Sequence, residues 1–444
     1  MTGGADPSGG ADPSGGADPS GGADPSDDAA RAAGRPASRL AGGPARSAGT
    51  RLSATDAAHR VTATELFFDL VFVYAITQVT ALVAGAPTAL TLGEGILLLA
   101  LLWWCWCCFA WLGNAVRADR GVLRVVLITV MALMLVIAIV LPESFDKRGS
   151  GLEPAYVFVG CYALVRLLHL LIYLLSDPGN PELRRVLRRA LTSLLPSLVL
   201  LGIGATMPTQ GGRLTVWTIA FVADAIGVYL TGSGGWQVHS AAHWAERHGL
   251  IVLIALGESI VAIGIGVGGI PVSWSMIVAV LLGVAVTASL WWLYFDAAQA
   301  RAEHRLVALT GRKRTALARD GYTYLHFLLI AGIVLTALGL KKVVEYAADP
   351  AHAISDPLTG IPAWALTGGA GLYLLGLTAF QLRTSGDWSV LRAAVGAVLL
   401  VALPVVERVP ALGALAGLAV GLVALAGYET ERGVADEALP AAAG

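Results

Sequence analysis

From about residue 61 onward, long apolar runs alternate with short clusters of arginine, glycine and proline. A stretch of about 17–25 mostly apolar residues is long enough to cross a bilayer as a helix. By that measure twelve spans are predicted, near 65–84, 92–112, 121–141, 154–175, 190–206, 214–231, 249–268, 273–295, 321–340, 362–381, 388–405 and 409–428. A membrane β-barrel would instead alternate apolar and polar positions over segments of about ten residues. The fold class expected is therefore all-α: a polytopic membrane protein of about twelve transmembrane helices. Pro196 and Pro404 interrupt short runs, so the fifth span and the last two are the least regular.

The first sixty residues break the pattern. Gly-Gly-Ala-Asp-Pro-Ser is repeated between Gly3 and Ser26, and an Ala/Gly/Arg-rich stretch follows. Such a segment has too little to bury to offset the entropy of ordering, so residues 1–60 read as a disordered tail. Residues 61–430 form the transmembrane domain, and residues 431–444 a short, loose second tail. Similar acidic segments open the first and seventh spans. The domain can thus be divided into six-span halves, 61–235 and 244–430, which would run parallel because six is even.

Composition agrees with a membrane protein: 56% of residues are hydrophobic, 14% are charged, and the mean hydropathy is +0.70. The net charge of -1 conceals a segregation of sign. With the N-terminus inside, only Lys147, Arg148, Arg213, Lys341, Lys342 and Arg408 fall on the outer side, Arg166 lies within a span, and every other basic residue is inside. By the positive-inside rule this is a multi-pass protein of the bacterial cytoplasmic membrane with both termini cytoplasmic. The same rule accounts for the arginines, so nucleic-acid binding is not implied. The partners expected are the lipid bilayer and an ion or small-molecule solute, with the oligomeric state open.

Ionisable residues inside the spans are the candidate chemistry, because a charge in hydrocarbon costs at least ~2.5–3.5 kcal/mol. Glu258 lies near the middle of the seventh apolar run, followed by Ser259. Glu65 and Asp69 are four apart and share one face of the first span. For Glu65 the favourable first-turn interaction with the helix dipole is the simpler account, whereas Asp69 lies a turn deeper and needs a partner. The fourth span carries Arg166 and His169 on one face, the sixth Asp224, and His248 stands at the entrance of the seventh beside Glu246 and Arg247. Arg166 must find a carboxylate, and Asp69, Asp224 and Glu258 are all eligible. Gly257, Gly264 and Gly268 offer one side of the seventh helix to close backbone approach.

Thr64-Glu-Leu-Phe-Phe-Asp-Leu-Val-Phe-Val-Tyr-Ala-Ile-Thr-Gln78 and Glu246-Arg-His-Gly-Leu-Ile-Val-Leu-Ile-Ala-Leu-Gly-Glu-Ser-Ile260 resemble the two signature segments of the bacterial low-temperature-requirement A (LtrA) family. Span count and spacing agree with that family over roughly 60–430. The resemblance implies a multi-pass membrane fold and assigns no substrate. Phe67-Phe-Asp-Leu-Val-Phe72 is also similar to the first-span element of the Phe-Ser-Asp potassium channels, with Phe in place of Ser.

No phosphate-binding loop, nucleophile elbow or zinc-ligand motif occurs, and no cofactor is expected. Cys105 and Cys108 share a helix face, but no His or carboxylate is interleaved, so no metal site is expected. The tryptophans around them read as packing or interface anchors. Two functional readings result. The first is a transporter or channel for an ion or small solute that uses the intramembrane carboxylates. The second is a membrane-embedded enzyme or accessory protein in which those charges are structural or hold a lipid-borne substrate. The lack of a nucleophile–base pattern favours the first.

Overall fold

Side-chain caps fix where six of the helices begin. In a computed structural model that describes residues 60–117, 121–145, 151–231, 236–268, 271–349 and 352–442, Thr62, Thr88, Asn180, Ser240, Ser273 and Ser389 each accept a bond from the first turn that follows. Such bonds satisfy amide groups that the helix itself leaves unpaired. The expectation for the repeat-bearing tail, residues 1–59, lies outside the described residues.

The helices are α1 (Ala63–Gly85), α2 (Ala89–Ala115), α3 (Gly121–Val140), α4 (Pro154–Ser176), α5 (Pro181–Ala205), α6 (Gln210–Thr231), α7 (Ala241–Gly266) and α8 (Trp274–Leu293). They continue as α9 (Gln299–Ala308), α10 (Gly311–Leu317), α11 (His326–Ala348), α12 (Gly360–Thr384), α13 (Val390–Val401), α14 (Leu403–Val406) and α15 (Ala411–Ala442). Among the described residues, 11 helical segments are long and apolar enough to cross a membrane. The remaining expected span is broken. α13 has 12 residues, about 18 Å at ~1.5 Å per residue, and Pro404 starts the separate turn α14. Pro196, by contrast, stays inside an unbroken α5.

Two further differences from the sequence reading have physical causes. The polar segment after the eighth span is helical: Trp274–Ala308 and Gly311–Ala348 run for 35 and 38 residues. At ~1.5 Å per residue both exceed the ~30 Å hydrocarbon core. Each passes through a π-helical turn, Tyr294–Ala298 and Ala318–Leu325. The Ala, Glu and Arg residues of α9 are good helix formers, and a search for apolar length cannot see such an extension. In the same way α15 continues to Ala442, through residues read as a loose tail.

α2 is the inner helix, with almost every side chain from Leu97 to Asn114 buried. α11 packs against α7, α8 and α12. Large apolar residues face outward on the surrounding helices, among them Val125, Leu164, Leu195, Val199 and Leu281. Lipid chains are as apolar as these side chains, so close packing between helices supplies much of the cohesion.

The glycines that permit that packing are not the ones the sequence suggested. Gly257 and Gly264 have nothing within 4 Å of where a Cβ would stand, and Gly268 meets only the Ile265 carbonyl. The close approach lies between α11 and α12. A Cβ on Gly339 would stand 2.4 Å from Leu366 Cα, and one on Gly369 2.5 Å from Thr336 N. A backbone cannot yield as a side-chain tip does, so Gly339→Ala is expected to lower stability by about 1–3 kcal/mol. Gly257→Ala and Gly264→Ala should stay within about 0.5 kcal/mol of the parent. Melting of the purified variants in detergent measures this, and an unchanged Gly339→Ala would refute the close contact.

Candidate functional site

Glu65 serves two structures with its two oxygens. Oε2 accepts from the Thr62 amide at 2.9 Å, completing a capping box at the start of α1. Oε1 faces α7, where it meets His243 Nε2 at 3.0 Å and Arg247 Nη1 at 3.1 Å. One turn deeper, Asp69 Oδ1 accepts from Arg247 Nη2 at 2.8 Å and from Trp106 Nε1 of α2 at 2.9 Å. The planar guanidinium thus spans two carboxylates four residues apart, with its Cζ 5.5 Å from the Trp106 ring centroid. Glu65, Asp69, Trp106, His243 and Arg247 are all buried. Gly113 makes the room, since a Cβ there would stand 2.5 Å from Glu65 Oε1.

Parallel packing of α1 and α7 produces this ladder. Glu65–His243 and Asp69–Arg247 are each 178 residues apart in sequence, and each helix supplies its pair four apart, on one face.

Asn114 sets the tautomer of His243. Its Oδ1 accepts from the amides of His239 and Ser240 at 2.7 and 3.3 Å, so its Nδ2 is the atom 3.2 Å from His243 Nδ1. That Nδ1 therefore accepts, and the proton assigned to the ring sits on Nε2, directed at Glu65. With His243 neutral, two carboxylates face one guanidinium. Asp69 Oδ2, also buried, has no hydrogen-bond partner among the described residues.

A second buried pair occupies the other side of α2. Arg166 of α4 donates from Nη1 to Asp224 Oδ2 of α6 at 2.8 Å. Asp224 also accepts from Trp104 Nε1 at 2.9 Å, and the Ser193 hydroxyl lies 3.2 Å from its Oδ1. Of the three carboxylates eligible for Arg166, the partner is Asp224. Residues two apart on a helix point roughly 200° apart, so Trp104 and Trp106 reach opposite sides of α2 and serve one carboxylate each. From sequence alone these tryptophans read as packing or interface anchors.

Glu258 stands apart from both arginines. Thr77 of α1 donates to its Oε2 at 2.5 Å, and Thr80 and Lys341 lie within electrostatic reach. α7 begins at Ala241, earlier than the apolar run suggested. Glu258 is therefore off centre, about 12 Å from the far end of the helix at ~1.5 Å per residue. Between Asp69 and Glu258 the buried residues of α1 and α7 include His248 next to Arg247 and are otherwise apolar or glycine, with Phe72, Ala75, Ile76, Ile251, Val252 and Ala255 among them.

The remaining candidates are placed differently from expectation. His248 pairs with no carboxylate: its Nδ1 lies 2.9 Å from the Trp244 carbonyl, and Trp106, Tyr322 and His326 surround its ring. His169 is buried beside Phe109 and Tyr173, and among the described residues its ring nitrogens have no hydrogen-bond partner. Ser259 is buried with an unbonded hydroxyl. Among the described residues, no group of three or more His, Cys, Asp and Glu is arranged to hold a metal. Arg247, His243, Trp104, Trp106 and Asn114 are the participants that sequence reasoning did not select.

Fold and site together define a polytopic α-helical membrane protein whose first and seventh spans are locked by buried charges. Residues 60–427 match the pattern described as bacterial low temperature requirement A protein (LtrA), and the chain belongs to that family. It is similar to an uncharacterized protein of Rhizobium meliloti (strain 1021), RA0937, with 30% identity over 295 residues, 62% of this chain and 67% of the relative. No solved structure matches it.

Proposed function

We propose that the protein carries an ion or small solute across the bacterial cytoplasmic membrane, its arginine-rich face on the cytoplasmic side, and that the Asp69 site couples this movement to a proton or cation. One observation supports the reading above the others. Glu65, Asp69, Arg247 and a neutral His243 carry one negative charge in excess, and the buried Oδ2 of Asp69 has no partner. Leaving that charge uncompensated out of water would cost several kcal/mol, and a proton or a cation at Oδ2 removes the cost. A static pair would be expected to balance, as Arg166 and Asp224 do. Glu258, held by a neutral hydroxyl and near Lys341, suits a second station on the opposite side of the apolar layer.

The test uses purified protein in liposomes, with proton flux followed by an entrapped pH dye and sodium and rubidium uptake by tracer. Wild type should exceed protein-free liposomes for at least one of these ions. Asp69→Asn keeps the bonds from Arg247 and Trp106 and should reduce the flux at least tenfold while melting near wild type. Glu258→Gln should do the same, and Glu258→Asp should retain part of the flux. Wild-type flux in folded Asp69→Asn protein would defeat the coupling role. Loss of flux only where the protein misfolds would make both residues scaffold.

A further inference from the structure

A cavity of about 70 Å³ lies among α2, α4, α5, α6 and the segments before α7 and α11, several times the ~10–15 Å³ that a single water requires. Its wall is mainly aromatic, with Trp104, Trp111, Trp236 and Tyr324, and it includes Arg166 and His169. Those two side chains are 3% and 4% exposed. Arg166 Nε and both ring nitrogens of His169 have no hydrogen-bond partner. The Cys108 backbone is close enough to act on the imidazole electrostatically but falls short of bonding geometry. Buried polar groups are nearly always bonded, and those that are not call for an explanation. Here both residues are on one face of α4, three apart, and both line the same space.

The wall restricts what can fill it. Its charged members are Arg166 and Arg319, and no carboxylate lines it; Asp224 binds Arg166 and Asp320 binds Arg319 from outside the cavity. A cationic ligand would face two guanidinium groups and find no carboxylate in the wall to bind it. A small inorganic anion would reach the unbonded donors but leave most of the aromatic wall without contact. A carboxylate attached to an apolar or aromatic body matches both parts of the surface.

We propose that this cavity binds a small water-soluble organic acid as its carboxylate, with Arg166 Nε and a His169 ring N–H on the carboxylate oxygens and the tryptophan and tyrosine rings around its body. The site is independent of Asp69 and does not rest on the coupling reading, because its test measures binding.

Titration calorimetry of the full-length protein in nanodiscs with benzoate, phenylacetate and pentanoate is expected to show saturable binding of at least one of them. Benzylammonium and inorganic phosphate should bind at least tenfold more weakly. His169→Leu removes a hydrogen bond to a charged group and should weaken binding about tenfold, with His169→Gln restoring part of it. Ala190 also lines the cavity, so Ala190→Leu should fill the space and abolish binding, while melting near the wild-type temperature. Wild-type reactivity of Cys108, another wall residue, towards N-ethylmaleimide should fall when the bound acid is present. The proposal is overturned if none of the three acids binds, if phosphate or benzylammonium binds as well, or if both variants keep wild-type affinity. Displacement by oleate supplied in the nanodisc lipid, without binding of the soluble acids, would move the source of the ligand to the bilayer and overturn the proposal as stated.

Discussion

Arg247→Leu is expected to destabilise the protein by about 3–5 kcal/mol, because it leaves buried carboxylates without their guanidinium. The two carboxylates should not suffer equally. Glu65 retains His243 and the α1 capping box, whereas Asp69 retains, among the described residues, only the bond from the Trp106 indole. Adding Asp69→Asn to Arg247→Leu should therefore recover most of the loss. Adding Glu65→Gln should recover less, since it also weakens the cap. Melting temperature in detergent and steady-state amount in the membrane report the outcome. If Arg247→Leu melts with wild type, the ladder between α1 and α7 does not carry the stability assigned to it.

The Arg166–Asp224 pair should behave as a closed account between two residues. Each of Arg166→Leu and Asp224→Asn is expected to cost about 3–5 kcal/mol, since each leaves its partner charged and buried. The double variant should return to within about 1–2 kcal/mol of wild type, and the difference is the coupling measured by a double-mutant cycle. In the Arg166→Leu background, Asp69→Asn and Glu258→Gln should give no recovery, because neither carboxylate touches Arg166. Recovery by either, or additive single effects, would break the pairing.

The contrast between these sites shows what was legible from the chain alone. Apolar length located the spans, and Pro404 marked where one of them breaks. Pro196 broke nothing, because a proline removes one helical bond and neighbouring groups can absorb the loss within a packed membrane helix. The buried carboxylates were legible as expensive groups, but their partners were not. Asp69 and Arg247 are 178 residues apart, and no periodicity connects residues on different helices. A signal did exist in the spacing: Glu65 and Asp69 stand four apart in one signature segment, and His243 and Arg247 stand four apart at the entrance to the other. Matched steps of opposite character suggest facing rungs. Trp104 and Trp106 could not be singled out, because an indole donor and an indole packed as hydrocarbon look the same in a sequence. Gly257 and Gly264 misled for the converse reason: small residues at helical spacing permit a close contact but do not require one.

The same separation of 178 residues sets an order of events during synthesis. At roughly 5–20 residues per second, α1 emerges about 10–35 s before Arg247 is joined to the chain. Throughout that interval Glu65 and Asp69 have no guanidinium from α7 to meet, while Arg166 and Asp224, 58 residues apart, wait only about 3–12 s for each other at the same rate and can pair once Asp224 is made, 23 residues before Arg247. The α4–α6 contact can thus be made within the first six helices, whereas the carboxylates of α1 must wait for a residue of the seventh. Docking of α1 onto α7 therefore has to follow synthesis of the seventh helix, and it ties the first span to one made midway along the chain.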